Sequence, residues 1–153
     1  TLYLLATGYN GVWRRNRRGG YNTPVGSLRP LSATFTPEVW AECSARLQGV
    51  AVERGDALAQ IRAAPSGAFI FIDPPYLNCT LRYGSEKFGM REHTWLADEV
   101  RRAVDRGVRV MVTHSDLPEI RDLYRDLHCT TVQVSRSVGP TTRVGECVFR
   151  SYQ

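Results

Sequence analysis

The chain has 153 residues, 42% of them hydrophobic, which suffices for one soluble globular domain with a sizeable core. No stretch approaches the roughly eighteen apolar residues of a membrane span, and the start lacks the charged region of a signal peptide, so we expect a cytoplasmic protein without a membrane partner. The net charge is +5, and residues 1–37 carry five arginines but no acidic side chain. This asymmetry indicates an anionic partner, with a solvated basic face as the alternative.

The N-terminal quarter predicts a loop-rich basic segment. Residues 2–6 fit either the end of a helix or a short strand. From Thr7 to Pro30, glycines, prolines and arginines break every periodicity, and Trp13 and Tyr21 are interleaved as either core or base-contacting residues. The arginines cluster within five positions, at Arg14, Arg15, Arg17 and Arg18. Arginine favours bidentate contacts with phosphate or guanine.

The rest of the chain alternates predicted helices and strands. Thr36-Pro37-Glu38 begins a helix that ends near Gly49 and buries Val39, Trp40, Cys43 and Leu47. The next predicted elements are a strand Val50–Glu53, a helix Ala57–Ala63 with Asp56 as N-cap, and a buried strand Ala68–Ile72. They are followed by a helix Thr94–Arg106, which turns Trp95, Leu96, Val100 and Val104 inward, and by a strand Val108–Val112. The chain then continues with a helix Pro118–Leu127 and ends in an antiparallel hairpin of Cys129–Ser135 and Glu146–Ser151. This order predicts an α/β fold.

A chemically distinctive tetrapeptide, Asp73-Pro74-Pro75-Tyr76, follows the apolar strand directly. In parallel sheets, ligands bind at the carboxyl ends of the strands. The two prolines supply no N–H and leave carbonyl acceptors available, while a carboxylate and an aromatic ring stand beside them. The combination suits a planar substrate with an amino group: Asp73 and the Pro74 carbonyl accept its N–H bonds, and Tyr76 stacks on its face.

Three motifs in one order carry a family resemblance. The first runs from Asn10 to Gly26 with the pattern N-G…R-x-N…G…N-x-P-x-G, the second is Phe71–Tyr76, and the third is Ser135-Arg136-Ser137 leading into Glu146. Motifs related to the tetrapeptide, D-P-P-Y or N-P-P-Y, also occur in enzymes that methylate amino groups of DNA, RNA and protein glutamine. Taken together, the motifs make the chain resemble the Dam-type class of DNA adenine methyltransferases over essentially its whole length.

The resemblance implies a Rossmann-like methyltransferase sheet, mostly parallel with an antiparallel C-terminal edge hairpin. It also implies S-adenosylmethionine-dependent methylation of the exocyclic amine of adenine in double-stranded DNA, with the base flipped into a pocket of Asp73, Pro74, Pro75 and Tyr76. Residues 1–36 would recognise DNA and residues 37–153 would form the catalytic portion. Asp56 and Asp73 would lie beside the methyl donor. The implied DNA contacts are Arg14, Arg15, Asn16, Arg17, Arg18, Asn22 and Arg136.

The chain also departs from that class. Its members carry a glycine-rich strand-loop-helix for the methyl donor before the recognition segment, and nothing in residues 1–9 matches it, so we expect this part to have been removed, to lie on another chain or to have been lost. The first residue, which is not Met, favours removal. The alternatives to an adenine methyltransferase are a DNA-binding module without activity and, third, an RNA methyltransferase.

Some individual residues keep two interpretations. Asp56 is either a plain N-cap or a cofactor contact. For His114, at a predicted strand end, a structural hydrogen bond is favoured over a role in the site. His93 is interpreted as a neighbour of a helix cap, and Tyr83 and Phe88 as loop residues that close over the base or pack within the loop. The four cysteines show no zinc-ligand spacing, so no metal is expected.

Overall fold

The computed structural model describes residues 2–26, 36–77, 88–136 and 142–153. It divides into two compact units, Thr1–Glu53 and Arg54–Gln153. The predicted functional boundary at residue 36 differs from this structural one and stays a prediction.

The first unit contains two helices, α1 (Leu2–Thr7) and α2 (Pro37–Arg46), and a 3₁₀ turn at Tyr9–Gly11. The helix α1 decides between the two alternatives left open for residues 2–6. The N-cap of α2 is Thr36, whose hydroxyl accepts the Val39 N–H at 3.3 Å, as the sequence predicts. After α2 the chain turns at Gly49, where φ is +77°, a conformation that favours glycine.

Two predictions for this unit are wrong. The apolar stripe of α2 is not buried: Val39, Trp40 and Leu47 are 45–56% exposed, and Cys43 is also exposed. Helical periodicity identifies an apolar face, but not an element that covers it, and the described residues of the first unit do not bury this one. Val50–Glu53 is exposed and forms no strand, because no described segment pairs with it.

The second unit is a four-stranded sheet with three helices. The strands are β1 (Phe69–Ile72), β2 (Arg109–Ser115), β3 (His128–Arg136) and β4 (Thr142–Arg150), and the helices are α3 (Ala57–Ala63), α4 (Met90–Asp105) and α5 (Pro118–Leu123). The strand order is β1-β2-β4-β3. β1 and β2 are parallel, and β4 is antiparallel to both of its neighbours. Three of the four described strands therefore run in one direction, and the predicted α/β fold with a C-terminal edge hairpin is confirmed.

The core of this unit lies between the helices and one face of the sheet. Alternate residues of β2, Val110 and Val112, are fully buried and join α4 residues such as Val100 in one apolar cluster. Burying each such side chain contributes about 1.5–3 kcal/mol. A buried carboxylate, Glu99 of α4, is paired with Arg62 of α3 at 2.9 Å and with Arg102 at 3.2 Å. Apolar packing and the Arg62–Glu99 ion pair therefore both join α3 to α4.

Two burial predictions for the second unit need correction. β1 is buried on one face only: Ile72 is in the core, whereas Phe69 and Phe71 are 51% and 55% exposed. A strand alternates its side chains between two faces, and the described helices of this unit bury one of them. Trp95 is 50% exposed, because it lies off the buried stripe of α4, and Arg91 lies over its ring at 4.9 Å from the centroid.

Some element boundaries also differ from the predicted ones. α4 begins four residues before the predicted start, at Met90, and β2 continues to Ser115. His114 is therefore the last but one residue of β2, and its predicted place at a strand end is confirmed. α5 ends at Leu123, earlier than predicted, whereas Gly107, with φ +85°, ends α4 as expected. Among the described helices, none is long and apolar enough to cross a membrane.

Candidate active site

The carboxyl ends of β1 and β2 bring the predicted catalytic carboxylate beside a hydroxyl group. Ile72 pairs with Val112, so the next residues, Asp73 and Thr113, are neighbours across the two strands. The Thr113 hydroxyl donates to Asp73 Oδ1 at 2.8 Å. Asp73 is exposed at this edge of the sheet, with one carboxylate oxygen oriented by Thr113. Sequence reasoning missed Thr113, whose position depends on the register between two strands far apart in the chain.

The two prolines lead the chain from the exposed carboxylate to a half-buried aromatic ring. Pro74 is buried, and Pro75, Tyr76 and Leu77 are half-buried. The Leu77 N–H donates to Nε2 of His114 at 3.3 Å. Because prolines have no N–H of their own, this bond is an important anchor for the segment.

Tyr76 is held at its ring and at its hydroxyl. Its ring stacks on the His114 ring, with 4.8 Å between centroids and 19° between planes. Its hydroxyl lies 3.3 Å from Oε2 of Glu146, which pairs with Ser115 across β2 and β4. Burial and the charges of Glu146 and Asp73 raise the pKa of Tyr76 to about 12. The phenol is therefore protonated at neutral pH and acts as a donor and a stacking surface, not as a base.

His114 is fully buried and neutral. Burial, followed by the neighbouring His93, lowers the pKa of His114 to about 4. Since Nε2 accepts the Leu77 N–H, the ring proton belongs on Nδ1, which lies 3.0 Å from the Ser115 hydroxyl. The structural hydrogen bond predicted for His114 is confirmed, and its acceptor role ties it to the loop of the tetrapeptide.

His93 is a core residue, and its interpretation as a cap neighbour is wrong. Because α4 begins at Met90, His93 falls on the buried stripe of the helix, with no exposed surface. Its ring packs edge-to-face against the rings of Phe88 and His114, with 4.7 and 4.8 Å between ring centroids. Neither ring nitrogen has a hydrogen-bond partner in the described part of the chain, and burial lowers the pKa of His93. Tyr83, predicted to act with Phe88, lies outside the described residues.

Asp56 caps α3, as one of its two interpretations predicts. Its carboxylate accepts the N–H groups of Leu58 and Ala59 at 3.3 and 3.1 Å. The strand predicted before it does not form. The N-cap is therefore confirmed, and a contact between Asp56 and a methyl donor stays a prediction.

In the arginine-rich segment, some of the polar side chains form hydrogen bonds within the loop and stabilise its conformation. Arg14 donates to the Asn22 side-chain and backbone oxygens at 3.1 and 2.9 Å. Asn16 Oδ1 accepts the N–H groups of Arg18 and Gly20, at 2.9 and 3.0 Å, which closes a tight turn. These three side chains hold the segment together, and their predicted DNA contacts stay predictions.

Arg14 and the other three arginines of the segment are all exposed. Arg15 lies over the Trp13 ring at 5.6 Å from its centroid. Arg17 and Arg18 occupy the turn that Asn16 closes, and their side chains face solvent in the described structure. Of Arg136, only the backbone is described, at the end of β3 opposite Thr142. The exposed side chains of residues 15, 17 and 18 therefore place three cationic groups within four positions of the chain, the cationic tip.

Aromatic packing and close backbone contacts fix the base of this segment. The Tyr21 hydroxyl donates to the Leu4 carbonyl at 2.9 Å, and its ring lies 4.9 Å from the Trp13 ring. Gly26 approaches the Gly8 backbone so closely that a Cβ would lie 2.8 Å from the Gly8 oxygen. Tyr21 is therefore part of the packing of the segment, whereas Trp13 is 40% exposed.

No group of three or more His, Cys, Asp or Glu side chains in the described residues is arranged to hold a metal ion. Of the cysteines that the structure describes, Cys43 is exposed, Cys129 is half-buried and Cys147 is buried, and all three are free thiols.

Comparison with known proteins shows the family of the chain. Residues 1–138 match the family model for D12 class N6 adenine-specific DNA methyltransferase. A DNA adenine methylase of Vibrio cholerae is 31% identical over 144 residues, which cover 90% of this chain and 51% of that protein. The type II methyltransferase M1.LlaDCHI of Lactococcus lactis is 26% identical over 99% of this chain and 57% of its own length. A DNA N-6-adenine-methyltransferase of Escherichia phage P1 is 32% identical over 82% of this chain and 17% of its own length.

The chain thus spans about half the length of the two bacterial relatives. The family match extends through the arginine-rich segment, the tetrapeptide and most of the sheet. The chain belongs to the D12 class of N6 adenine-specific DNA methyltransferases.

Proposed function

We propose that this protein transfers a methyl group from S-adenosylmethionine to the exocyclic amine of adenine in double-stranded DNA, with the target base flipped into the pocket of Asp73–Tyr76. The observation that carries the proposal is the oriented Asp73 carboxylate beside the half-buried Tyr76 ring, at the carboxyl end of a parallel strand pair. We expect the protein to work in the cytoplasm, on chromosomal or other duplex DNA.

The pocket matches the chemistry of an aromatic amine. One oxygen of Asp73 is occupied by Thr113, and the exposed carboxylate retains acceptor capacity for an N–H of the base. A hydrogen bond from the amine to a carboxylate raises the electron density on nitrogen and fixes its direction. Tyr76 is proposed to offer one ring face to the base, because His114 covers the other. Stacking and hydrogen bonding together offset the few kcal/mol that flipping a base costs.

S-adenosylmethionine, when bound, supplies an electrophilic methyl group on sulfur. The amine nitrogen forms the new N–C bond as the C–S bond breaks, and the proton lost from nitrogen passes to solvent. Asp73 and Tyr76 contribute by orienting the nitrogen, so no covalent bond to the protein is needed. The exposed position of Asp73 at the strand end is compatible with a second role beside the methyl donor, and Asp56 stands as a further proposed contact whose carboxylate already caps α3.

The arginine-rich segment supplies the proposed DNA contact. Arg15, Arg17 and Arg18 form an exposed cationic tip on a turn held by Asn16. Arginine side chains bind phosphates and read guanine in the major groove. Arg14 and Asn22, tied to one another, support the tip, and Arg136 is proposed as an additional phosphate contact.

Replacement of Asp73 tests the proposed catalytic role. In Asp73→Asn the side chain keeps its shape but loses its charge, so methyl transfer should fall about 10²–10³-fold, because the oriented negative acceptor is lost. The measurement is transfer of labelled methyl from S-adenosylmethionine to unmethylated genomic DNA. Asp105→Asn is the matched control, since Asp105 is exposed at the end of α4, and it should transfer methyl at the wild-type rate.

Two outcomes would contradict the proposal. Normal transfer by Asp73→Asn would remove the carboxylate from the mechanism. No transfer by the wild-type protein, with salt-sensitive duplex binding retained, would instead support a DNA-binding module without activity.

A further inference from the structure

Four aromatic rings form a continuous column that ends at the proposed base pocket. Phe88 contacts His93 at 4.7 Å, His93 contacts His114 at 4.8 Å, and His114 stacks on Tyr76 at 4.8 Å between centroids. The column begins beside α4, passes through the buried face of β2 and reaches the tetrapeptide. Its two central members are imidazoles with no exposed surface.

His114 makes two separate contacts with the loop that follows β1. Its face supports the Tyr76 ring, and its Nε2 accepts the Leu77 N–H at 3.3 Å. Pro74 and Pro75 have no N–H, so the loop has few backbone donors with which to fix its shape. The hydrogen bond from the Leu77 N–H to the His114 side chain therefore helps to fix the position of Tyr76.

His93 holds the other side of His114. The planes of the two imidazoles are 74° apart, so one ring presents its edge to the other. Among the described residues His93 has no hydrogen-bond partner, and its ring packs against the rings of Phe88 and His114. This arrangement favours neutral imidazoles, because two charged rings at this distance would repel each other and no solvent would screen the repulsion.

We propose that His114, backed by His93, is a positioning residue for methyl transfer: as a neutral imidazole it holds the Tyr76 ring and the Leu77 backbone in the orientation that receives the flipped base. The proposal rests on the proposed function, because it assigns a role within the same pocket. His114 does not touch the base. It acts through Tyr76, whose opposite face is the proposed stacking surface.

Protonation of His114 should break this support. The charged ring carries protons on both nitrogens, so Nε2 no longer accepts the Leu77 N–H. The groups around the ring are His93 from α4, Asp73 and Tyr76 from the loop, and Glu146 and Cys147 from β4. Asp73 favours the charged imidazole, whereas burial and His93 oppose it more strongly, and the net effect lowers the pKa of His114.

Two variants separate the contacts of His114. His114→Phe keeps a ring against Tyr76 and removes the acceptor for Leu77, whereas His114→Gln keeps an acceptor and removes the ring face. Both should lower kcat for methyl transfer to DNA at least about tenfold, because small displacements of a positioned group cost that much or more. The KM for S-adenosylmethionine should stay within about twofold. His128→Phe and His128→Gln are matched controls at a histidine outside the column, at the start of β3, and both should behave as wild type.

A purely structural role predicts a different pattern. If the His114 variants lower the unfolding midpoint while the folded protein keeps its wild-type kcat, the positioning role is wrong. The same conclusion follows if kcat and the KM for S-adenosylmethionine change together in a protein with reduced folded fraction.

A second measurement needs neither activity nor a variant at His114. The wild-type chain is prepared with labelled tyrosine rings, and the Tyr76 signals are assigned by comparison with a Tyr76→Phe sample. NMR then follows the ring signals of Tyr76 as the pH is lowered. We expect them to shift with the same midpoint as the His114 imidazole, well below the ordinary pKa of a histidine. In His93→Phe that midpoint should rise, because a repelling neighbour is removed.

Tyr76 signals that stay fixed while His114 titrates would overturn the positioning role. Absence of methyl transfer by the wild-type protein would instead count against the proposed function alone, because the NMR result does not depend on transfer. The two failures are therefore distinguishable.

Discussion

At the scale of single residues, the pocket depends on side chains that orient other side chains. The Thr113 hydroxyl fixes Asp73, Glu146 accepts from the Tyr76 hydroxyl, and His114 supports the ring and Leu77. The sequence motif names the residues proposed to face the base, but their supporting residues come from β2 and β4. Thus the tetrapeptide forms the surface of the pocket, and Thr113, His114 and Glu146 form a second layer that holds it in place.

Thr113→Val tests this second layer. The substitution keeps the shape of the side chain and removes the donor to Asp73, so methyl transfer should fall about 10–100-fold, the equivalent of about 1.5–3 kcal/mol for a hydrogen bond to a charged group. Steady-state kinetics measures the loss. Thr94→Val is the control, because the Thr94 hydroxyl bonds a helix carbonyl on an exposed face of α4. Equal rates for the two variants would show that Thr113 does not orient the carboxylate.

These contacts also mark a limit of sequence interpretation. Asp73 and Tyr76 could be found because a recognisable motif follows an apolar strand. Thr113 and His114 could not be assigned in the same way, since their contacts arise from the register of β1 against β2, about forty residues apart in the chain. His93 was missed because α4 begins four residues before the predicted start, which moves it from a cap to the core.

At the scale of elements, some polar side chains of the arginine-rich segment stabilise the segment itself, and others are proposed to contact DNA. Two isolated antiparallel bridges, Gly8 with Val25 and Arg15 with Tyr21, bring its two sides together. All six polar residues are exposed, but Arg14, Asn16 and Asn22 form hydrogen bonds within the segment, and Arg15, Arg17 and Arg18 form the cationic tip. Composition predicts a basic loop, but only the structure divides its polar residues in this way.

The double variant Arg17→Ser/Arg18→Ser tests the cationic tip. Duplex affinity should fall, and the slope of log K against log salt should become shallower by about 1 for each phosphate that the variant no longer neutralises. Fluorescence anisotropy at several salt concentrations gives the slope. Arg54→Ser/Arg109→Ser removes the same charge from exposed positions in the second unit and should leave the slope nearly unchanged. An identical slope for both double variants would mean that residues 17 and 18 form only a solvated face.

Burial of whole elements was harder to predict than their order. The sequence order of helices and strands in the second unit is confirmed from α3 to β4. By contrast, α2 and one face of β1 expose apolar side chains, and Val50–Glu53 forms no strand. Periodicity and apolar runs describe what a segment offers for packing, whereas burial and strand pairing depend on a partner elsewhere in the fold.

At the scale of the whole molecule, membership in the D12 class agrees with the direction of the strands and the position of the tetrapeptide. β1 and β2 are parallel, β4 runs in the opposite direction between β2 and β3, and Asp73 follows β1 at the edge where ligands bind in such sheets. The family match covers residues 1–138, and the chain spans about half the length of the bacterial relatives. Activity of the whole protein is therefore the central claim to test.

The most direct test is the identity of the methylated nucleoside. The protein is incubated with unmethylated genomic DNA and S-adenosylmethionine that carries a heavy methyl group, and the DNA is digested and analysed by mass spectrometry. Our account predicts heavy label in N6-methyldeoxyadenosine and none in methylated deoxycytidine. Label in deoxycytidine, or transfer to RNA in place of DNA under the same conditions, would contradict it.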